Sequence, residues 1–317
     1  MPEQTEARIA GTLFGAITVL CWAGFNVAAK AGVDAGMSPS AVSFLRYLTP
    51  GFVAFPLLIW LRHRNRGKGL PGLRLCILAV LGGPLFGLIA VAGYQYAPLS
   101  HGLLFAPVAV FVSGAVFGAV LLKERIFVSR VLGAFIMFGG LAVLVGFETP
   151  DARGTWLVGT GLFTAAGIMW GGYTVLLRLW QVPLLEGTSA IAAFGAVFAA
   201  LLLGPAAWPS LAETSTVMLL TQLVMQGIVG GILSVVVLVA ALQRLTAQTA
   251  AVLPTFTPAV AMIIAWVVFG TRPHSVEFIG AAVIFLGFSI TTGGTSVLNA
   301  IQRRRSAASE TNPVFPT

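Results

Sequence analysis

Ten apolar stretches of about twenty residues follow one another along the chain, separated by short polar segments. About 20 residues of α-helix cross a bilayer core of about 30 Å. Only 9% of the 317 residues are charged, whereas water-soluble domains are about a quarter charged. The sequence therefore predicts an all-α membrane protein with ten transmembrane helices, over residues 9–29, 39–61, 73–96, 100–122, 129–147, 155–179, 188–207, 214–243, 247–269 and 275–298. The eighth stretch is long enough to require a tilt or a break.

The Lys and Arg residues are divided unevenly between the two sides of the predicted membrane protein. Of the 18 in the sequence, 14 fall on the side of the N-terminus, Lys30, Arg153 and Arg272 fall on the other, and Arg46 lies inside the second stretch. Because cytoplasmic loops carry the basic excess, both termini are expected in the cytoplasm. These residues sit in short loops and not on one continuous face, so no nucleic-acid partner is expected.

The two halves of the chain repeat each other at an offset of 147 or 148 residues. The matched features are Trp22 to Val27 with Trp170 to Val175, Lys30 with Arg178, Gly82-Gly83 with Gly230-Gly231, Gln95 with Gln243, Pro107 with Pro254, and Gly133 with Gly280. Since each half holds five predicted helices, an odd number, the halves must be inverted. The sequence thus predicts two five-helix repeats, residues 1–150 and residues 151–317, with a binding site near the midplane between them.

Polar and aromatic side chains recur at helical spacing within the predicted spans. Trp22 and Asn26 share one helix face, as do Arg46 and Tyr47 with Ser43, and Trp170 with Tyr173. Arg46 lies about 10 Å deep at 1.5 Å per residue, where a guanidinium requires a partner or water. Gln222 and Gln226 form a stripe that either bonds neighbouring helices or lines a cavity. Lys30 and Arg178, at span ends, are expected to be snorkelling anchors, and His101 to be a hydrogen-bonding residue.

Glycine and proline interrupt several spans. Because proline removes a backbone hydrogen bond, interruptions are expected in the second span at Pro50 and Pro56, and in the third at Gly82-Gly83-Pro84. The candidate hinges are Pro50, Gly82, Gly83, Gly230, Gly231 and Pro254. Close helix packing at small residues, such as Gly167 with Gly171, is the alternative interpretation, and both can hold.

The sequence lacks the residues that several classes of protein require. All ten carboxylates lie outside the spans or at their ends, which disfavours a carboxylate-driven proton antiporter and purely cationic substrates. A nucleotide-binding loop, paired carboxylates and a catalytic triad are all missing, so we expect no enzyme and no cofactor. Cys21 and Cys76 are too few for a metal site.

These residues resemble the drug/metabolite transporter superfamily, specifically its ten-helix EamA-type members, along essentially the whole chain. Trp22-Ala23-Gly24-Phe25-Asn26 is similar to the family's Trp-Gly-x-x-Phe region, and Arg46 falls where the family often has an arginine. Pro107, Glu124 and the glycine-rich span from Gly133 are similar to its mid-helix proline, helix-end glutamate and following glycine-rich helix. The second half departs from this pattern, because Thr271 stands at the position equivalent to Glu124.

The resemblance implies a multi-pass exporter of small metabolites in a bacterial inner membrane, most similar to exporters of aromatic amino acids. Substrate-binding residues would then be Trp22, Asn26, Arg46, Tyr47, Tyr94, Trp170, Tyr173 and Gln226. The aromatic rings would stack on the substrate, Arg46 would meet its carboxylate, and Asn26 and Gln226 its ammonium group. Glu124 is expected to be a structural ion-pair or gate residue.

Several alternatives stay open at this stage. The same aromatic lining suits nucleosides, other metabolites and amphipathic drugs, and a membrane-embedded lipid enzyme or a passive channel are the rivals from other classes. Besides the lipid bilayer, a small-molecule substrate is the expected partner. A monomer is compatible with the sequence, which does not fix the oligomeric state or the coupling ion.

Overall fold

The structure is a computed structural model, and it describes residues 2–64, 72–124, 126, 128–146, 154–182, 184–245, 256–270, 272 and 274–290. Helices account for nearly all of these residues, and none of them lies in a strand. The α-helices are α1 Pro2–Asp34, α2 Pro39–Arg64, α3 Gly72–Gly82, α4 Pro84–Gly93, α5 Leu99–Leu121, α6 Val128–Gly146, α7 Thr155–Leu179, α8 Leu184–Phe198, α9 Gly204–Glu213, α10 Thr216–Gln222, α11 Ser234–Leu242, α12 Thr257–Phe269 and α13 Ser275–Ile290. Two π-helical segments, Ala199–Leu203 and Leu223–Leu233, connect α8 to α9 and α10 to α11.

Seven helical stretches of the described chain are long and apolar enough to cross a membrane. They are Ile9–Asp34, Pro39–Trp60, Gly72–Gly93, Leu99–Leu121, Thr155–Leu179, Gly187–Glu213 and Thr216–Leu242. The predicted multi-pass, all-helical membrane fold is thereby confirmed. Three shorter apolar helices, within α6, α12 and α13, coincide with the predicted fifth, ninth and tenth spans but have only 10–17 residues each. The total of ten therefore stays a prediction.

Small residues allow the helices at the centre of the bundle to approach closely. α7 runs parallel to α5, and a Cβ added at Gly167 would stand 2.6 Å from the Cβ of Ala109. At the start of the same pair of helices, His101 Nδ1 and Thr160 Oγ1 are 2.8 Å apart. On the other side of the bundle, α1 packs against α11 and α12, and α2 packs against α8. Because α4 contacts α7, α2 and α1, these four helices surround one central region.

The third span is broken where the sequence predicts it. α3 ends at Gly82, Gly83 has a non-helical conformation with φ −99° and ψ −149°, and α4 begins at Pro84. Proline has no N–H to donate to the preceding turn, so the helical ladder cannot continue through this point. The equivalent glycines of the second half, Gly230 and Gly231, lie inside a π-helical segment. Both halves thus depart from α-helical geometry at matching positions.

The prolines of the second span behave differently from the prediction. α2 continues through Pro50 and Pro56 without a break, so the predicted interruption of this span is wrong. The Pro50 ring packs against Gly231 of the second half, and this contact supports the helix where proline removes a backbone hydrogen bond. Pro258 begins α12 at its first turn, where proline is well tolerated. Pro254 lies outside the described residues.

Candidate functional site

Arg46 is a half-buried cation of α2 that faces α1. Its guanidinium carbon lies 4.2 Å from the centre of the Phe25 ring, a cation–π geometry. It also interacts electrostatically with the hydroxyls of Tyr47 and Tyr94. Within the described residues, Arg46 therefore has aromatic and hydroxyl neighbours and no carboxylate partner. Its charge remains available to an anionic group.

Asn26 connects α1 to the end of α4. Its Oδ1 accepts a 3.0 Å hydrogen bond from the Tyr94 hydroxyl, and its Nδ2 donates a 2.7 Å hydrogen bond to the carbonyl oxygen of Trp22 in its own helix. Tyr94 is 4% exposed, with its ring edge-on to Phe163 at 4.9 Å. The predicted residues Asn26 and Tyr94 are thus bonded to each other, while the Trp22 side chain is half-buried.

Tyr47 fills a space that glycine residues leave open. Its hydroxyl donates a 3.3 Å hydrogen bond to the carbonyl oxygen of Gly82. A Cβ at Gly87 would stand 2.6 Å from the Tyr47 ring, and one at Gly195 would stand 3.2 Å from it. Any larger residue at Gly87 would displace the ring. Tyr47 is therefore held at the end of α3 by shape as well as by its hydroxyl.

The aromatic residues of α7 approach the same break from the opposite side. A Cβ at Gly82 would stand 3.2 Å from the Tyr173 ring, which lies 4.9 Å from the Trp170 ring. Trp170 in turn contacts Phe86 of α4 at 5.0 Å. The predicted residues Trp170 and Tyr173 therefore meet Tyr47 around Gly82.

The same ring-on-glycine contact occurs twice, each time between the two halves of the chain. Phe25 of α1 packs on Gly230, where a Cβ would stand 3.1 Å from the ring, just as Tyr173 of α7 packs on Gly82. Phe25 precedes Tyr173 by 148 residues, and Gly82 precedes Gly230 by the same number. Sequence reasoning did not select Phe25 as a site residue, although its repeat partner Tyr173 was selected. The internal repeat was the signal that could have identified it.

The glutamine stripe bonds neighbouring helices. Gln226 and Gln222, both 0% exposed, donate from Nε2 to the carbonyl oxygens of Phe25 and Ala28, at 2.8 Å and 2.6 Å. Of the two interpretations of this stripe, helix–helix hydrogen bonding is the one that the geometry supports. The Oε1 atoms of both side chains are buried and have no hydrogen-bond partner among the described residues. Gln226 therefore offers a free acceptor beside Phe25.

Two other polar residues singled out from the sequence, His101 and Glu124, have structural partners. His101 is fully buried against Thr160 and the rings of Phe105 and Trp156. Glu124 is bonded to Arg178 and lies 3.9 Å from Arg130. Within the part of the chain that is described, no three or more His, Cys, Asp or Glu side chains assemble into a group that could hold a metal ion.

A cavity of about 570 Å³ lies between α5, α6 and α7, away from these residues. Its lining is mainly apolar, and it includes Phe105, Phe117, Phe138 and Ile168, whereas none of the eight predicted substrate-binding residues lines it. The predicted residues contact one another through hydrogen bonds and ring contacts. In this conformation Tyr47, Tyr94 and Tyr173 are at most 7% exposed. A ligand could therefore reach them only after the helices separate.

The arrangement offers one cation, several hydroxyl and amide groups, and a set of aromatic faces at the junction of α1, α2, α4 and α7. Contacts link seven of the eight predicted side chains, through Phe25 and Gly82, into one network. Such a set suits a small molecule that carries an anionic group and a flat ring. It provides no acid–base pair for covalent chemistry.

Comparisons with known proteins agree with this architecture. The family model described as the EamA-like transporter family matches residues 9–146 and again residues 157–293. Among 23 matching chains of solved structures, one described as "Crystal structure of protein" is 18% identical with a TM-score of 0.59. The match covers 89% of this chain and 95% of that one. At this identity the likeness shows the fold alone. No curated protein matches the sequence.

Proposed function

The chain belongs to the EamA-like transporter family, a family of membrane transporters of small metabolites, and on that premise we propose that it exports aromatic amino acids. Export proceeds by alternating access, with two inverted repeats that divide near residue 150 and rock about their shared centre. The protein resides in the bacterial inner membrane with both termini in the cytoplasm. A free amino acid needs no covalent step to cross, so the chain acts without a cofactor.

The observation that carries this proposal is the position of Arg46 among aromatic residues. Its guanidinium covers Phe25 at 4.2 Å and interacts with the hydroxyls of Tyr47 and Tyr94. A carboxylate can bind a guanidinium through two parallel hydrogen bonds, and an entering substrate would provide the charge partner that Arg46 does not have among the described residues. The rings of Trp170 and Tyr173, across the break at Gly82, provide faces for stacking.

The ammonium group of an amino acid requires acceptors. The unpaired Oε1 of Gln226 lies on the residue that bonds the Phe25 carbonyl. Asn26 Oδ1 accepts from Tyr94 and can exchange that donor for an ammonium group. Uncharged acceptors suit a zwitterion, because the charge of its ammonium group is balanced by its own carboxylate, which would lie beside Arg46. A purely cationic substrate would face Arg46 without such compensation.

Reconstitution in liposomes tests this proposal. Liposomes that contain the purified protein would be loaded with unlabelled tryptophan. Uptake of external labelled tryptophan, phenylalanine, alanine or uridine in exchange would then be followed. Exchange of tryptophan and phenylalanine at least tenfold faster than that of alanine and uridine is the expected result. Preference for uridine would instead favour a nucleoside exporter. Liposomes that contain the Arg46→Gln variant provide the matched control, because this variant keeps the helix bundle and loses the positive charge of residue 46.

A further inference from the structure

The end of the bundle that holds the N-terminus is joined across the two halves of the chain by basic side chains. Arg178, at the end of α7, bonds Glu124, which follows α5. Arg244, after α11, lies over the Phe14 ring of α1 at 5.2 Å. Arg74 of α3 lies over the ring of Trp180 at 5.2 Å. Each of these three contacts connects a residue of the first half to one of the second. We call this end the N-terminal face.

The chain after α5 turns so that the Glu124 carboxylate can reach α7. Lys123 adopts a left-handed conformation with φ 55°, which residues other than glycine seldom occupy. The Glu124 N–H then donates a 3.2 Å hydrogen bond back to the Gly118 carbonyl. A Cβ at Gly118 would stand 2.9 Å from Glu124 Oε2, so the glycine leaves room for the carboxylate. Glu124 lies between the guanidiniums of Arg178 and Arg130.

Among the described residues, the opposite face of the bundle has no such charged contact between the two halves. Lys30, the repeat partner of Arg178, bonds Asp34 in its own helix. In the sequence, Thr271 stands where a second glutamate would be. Arg272 lies over Trp266 at 5.7 Å, within its own half. The hydrogen bonds that cross between halves there are uncharged: the Ser38 N–H donates to Ser210 Oγ at 2.9 Å, and Ser40 Oγ donates to the Ala206 carbonyl at 3.2 Å.

The last turns of α5 and α7 approach each other less closely than the rest of this helix pair. Close backbone approach runs from Gly159 to Gly171, where a Cβ would contact Ala97, Ala109 or Ser113. Beyond that level the Phe117 ring, 3.4 Å from a Cβ at Gly172, and the Glu124–Arg178 pair connect the two ends. The ion pair is thus the outermost contact of the helix pair on the N-terminal face.

We propose that Glu124 and Arg178 form an ionic latch that holds the N-terminal face closed, whereas the described residues of the opposite face join the two halves through uncharged hydrogen bonds. The inference rests on the proposed alternating access and not on the identity of the substrate. Because the acidic partner exists in only one repeat, the closed state of the N-terminal face is favoured over its mirror-image state. Opening toward that face requires the carboxylate to leave the Arg178 guanidinium.

Distances between spin labels at Leu121→Cys and Leu179→Cys test the latch directly. These residues end α5 and α7, are 44% and 39% exposed, and would be labelled in a Cys21→Ala/Cys76→Ser background in lipid nanodiscs without substrate. Glu124→Gln or Arg178→Gln should raise the fraction of molecules with a long 121–179 distance, in which the N-terminal face is open, about two- to fivefold. This is the change expected from losing a partly exposed ion pair. The double variant should match the single ones, because the second substitution removes a partner from a pair already broken.

Two controls keep the outcome decisive. Lys30→Gln, which breaks the pair of the opposite face, should leave the 121–179 distances unchanged. Raising NaCl to about 1 M should open the N-terminal face of the unsubstituted protein, since salt screens exposed charges. This measurement does not depend on whether a variant folds. The same salt should have little further effect on Glu124→Gln. Unchanged distances in both single variants and in high salt would overturn the latch. Failure to exchange tryptophan would overturn the proposed substrate and leave these distances unaffected.

Discussion

The Tyr47 hydroxyl donates a hydrogen bond of 3.3 Å to the carbonyl oxygen of Gly82, the last residue before the break in the third span. A helix end in a membrane interior exposes carbonyl groups that lipid cannot satisfy. Tyr47 provides one of the missing donors from α2. The break is therefore stabilised by the same residue that contributes an aromatic face and a hydroxyl to the proposed binding site.

Tyr47→Phe should consequently lower stability and slow transport together. Leaving the buried carbonyl unpaired should cost about 1–3 kcal/mol of unfolding free energy, while the retained ring should keep the packing against Gly87 and Gly195. Thermal unfolding in detergent and tryptophan exchange in liposomes would measure the two effects. Tyr96→Phe is the matched control, because Tyr96 is 43% exposed. Equal stability of the two variants would contradict a role for the hydroxyl at the break.

Arg46→Gln should weaken binding of every amino acid to a similar extent. Each carries the carboxylate, and a hydrogen bond to a charged group contributes about 1.5–3 kcal/mol, or about tenfold and more in Kd. The sharper measurement compares tryptophan with tryptamine, which lacks the carboxylate. The unsubstituted protein should prefer tryptophan, and the variant should lose that preference. If Arg46→Gln still discriminates between the two ligands, the carboxylate binds elsewhere.

Local chemistry explains most of what the sequence predicts correctly. Apolar length alone locates the spans, and the break at Gly83 follows from the missing N–H of Pro84. The same rule is wrong at Pro50, because the outcome there depends on the packing of the proline ring against Gly231, a residue 181 positions away. The π-helical segment around Gly230 likewise depends on contacts between helices: Gln222 and Gln226, at its start, bond the backbone of α1.

The candidate site is predictable to the extent that its residues are polar or unusually placed. Arg46 and Asn26 are conspicuous in an apolar helix, and the tyrosines neighbour them. Phe25 is one of 22 phenylalanines, and only its place under Arg46 and on Gly230 distinguishes it. The partner of Glu124 is also a property of the fold, because the parallel packing of α5 and α7 brings Arg178 to it across 54 residues.

Cysteine labelling should confirm the orientation derived from the basic residues. Ile126 is 47% exposed beside Glu124 on the N-terminal face, and Ala35 is exposed in the turn between α1 and α2 on the opposite face. In a Cys76→Ser background, Ala35→Cys should react with an impermeant maleimide added outside intact cells, and Ile126→Cys should react only after lysis. The reverse pattern would place the termini outside the cell.

The paired ring-on-glycine contacts should respond to substitution in the same direction. Gly82→Ala and Gly230→Ala would place a Cβ 3.2 Å and 3.1 Å from the rings of Tyr173 and Phe25, and such overpacking typically costs about 1–3 kcal/mol. Gly114→Ala is the control, since a Cβ there meets nothing within 4 Å and alanine favours a helix over glycine. Melting temperatures should fall for the first two variants and be maintained or raised for the third.

Trp22 and Trp170 occupy equivalent positions of the two halves, and replacing either should affect aromatic substrates selectively. An aromatic pair contributes about 0.5–1.5 kcal/mol beyond the burial of its area, and lost burial adds to this. Trp22→Ala and Trp170→Ala should therefore weaken tryptophan binding about tenfold and leave alanine binding nearly unchanged. Arg46→Gln, by contrast, should weaken both ligands alike. Titration of the three variants with both ligands measures the difference. Normal tryptophan binding by both tryptophan variants would show that these rings serve only in packing, as Trp170 does against Phe86 in this conformation. The proposed aromatic substrate would then have no stacking partners in these two residues.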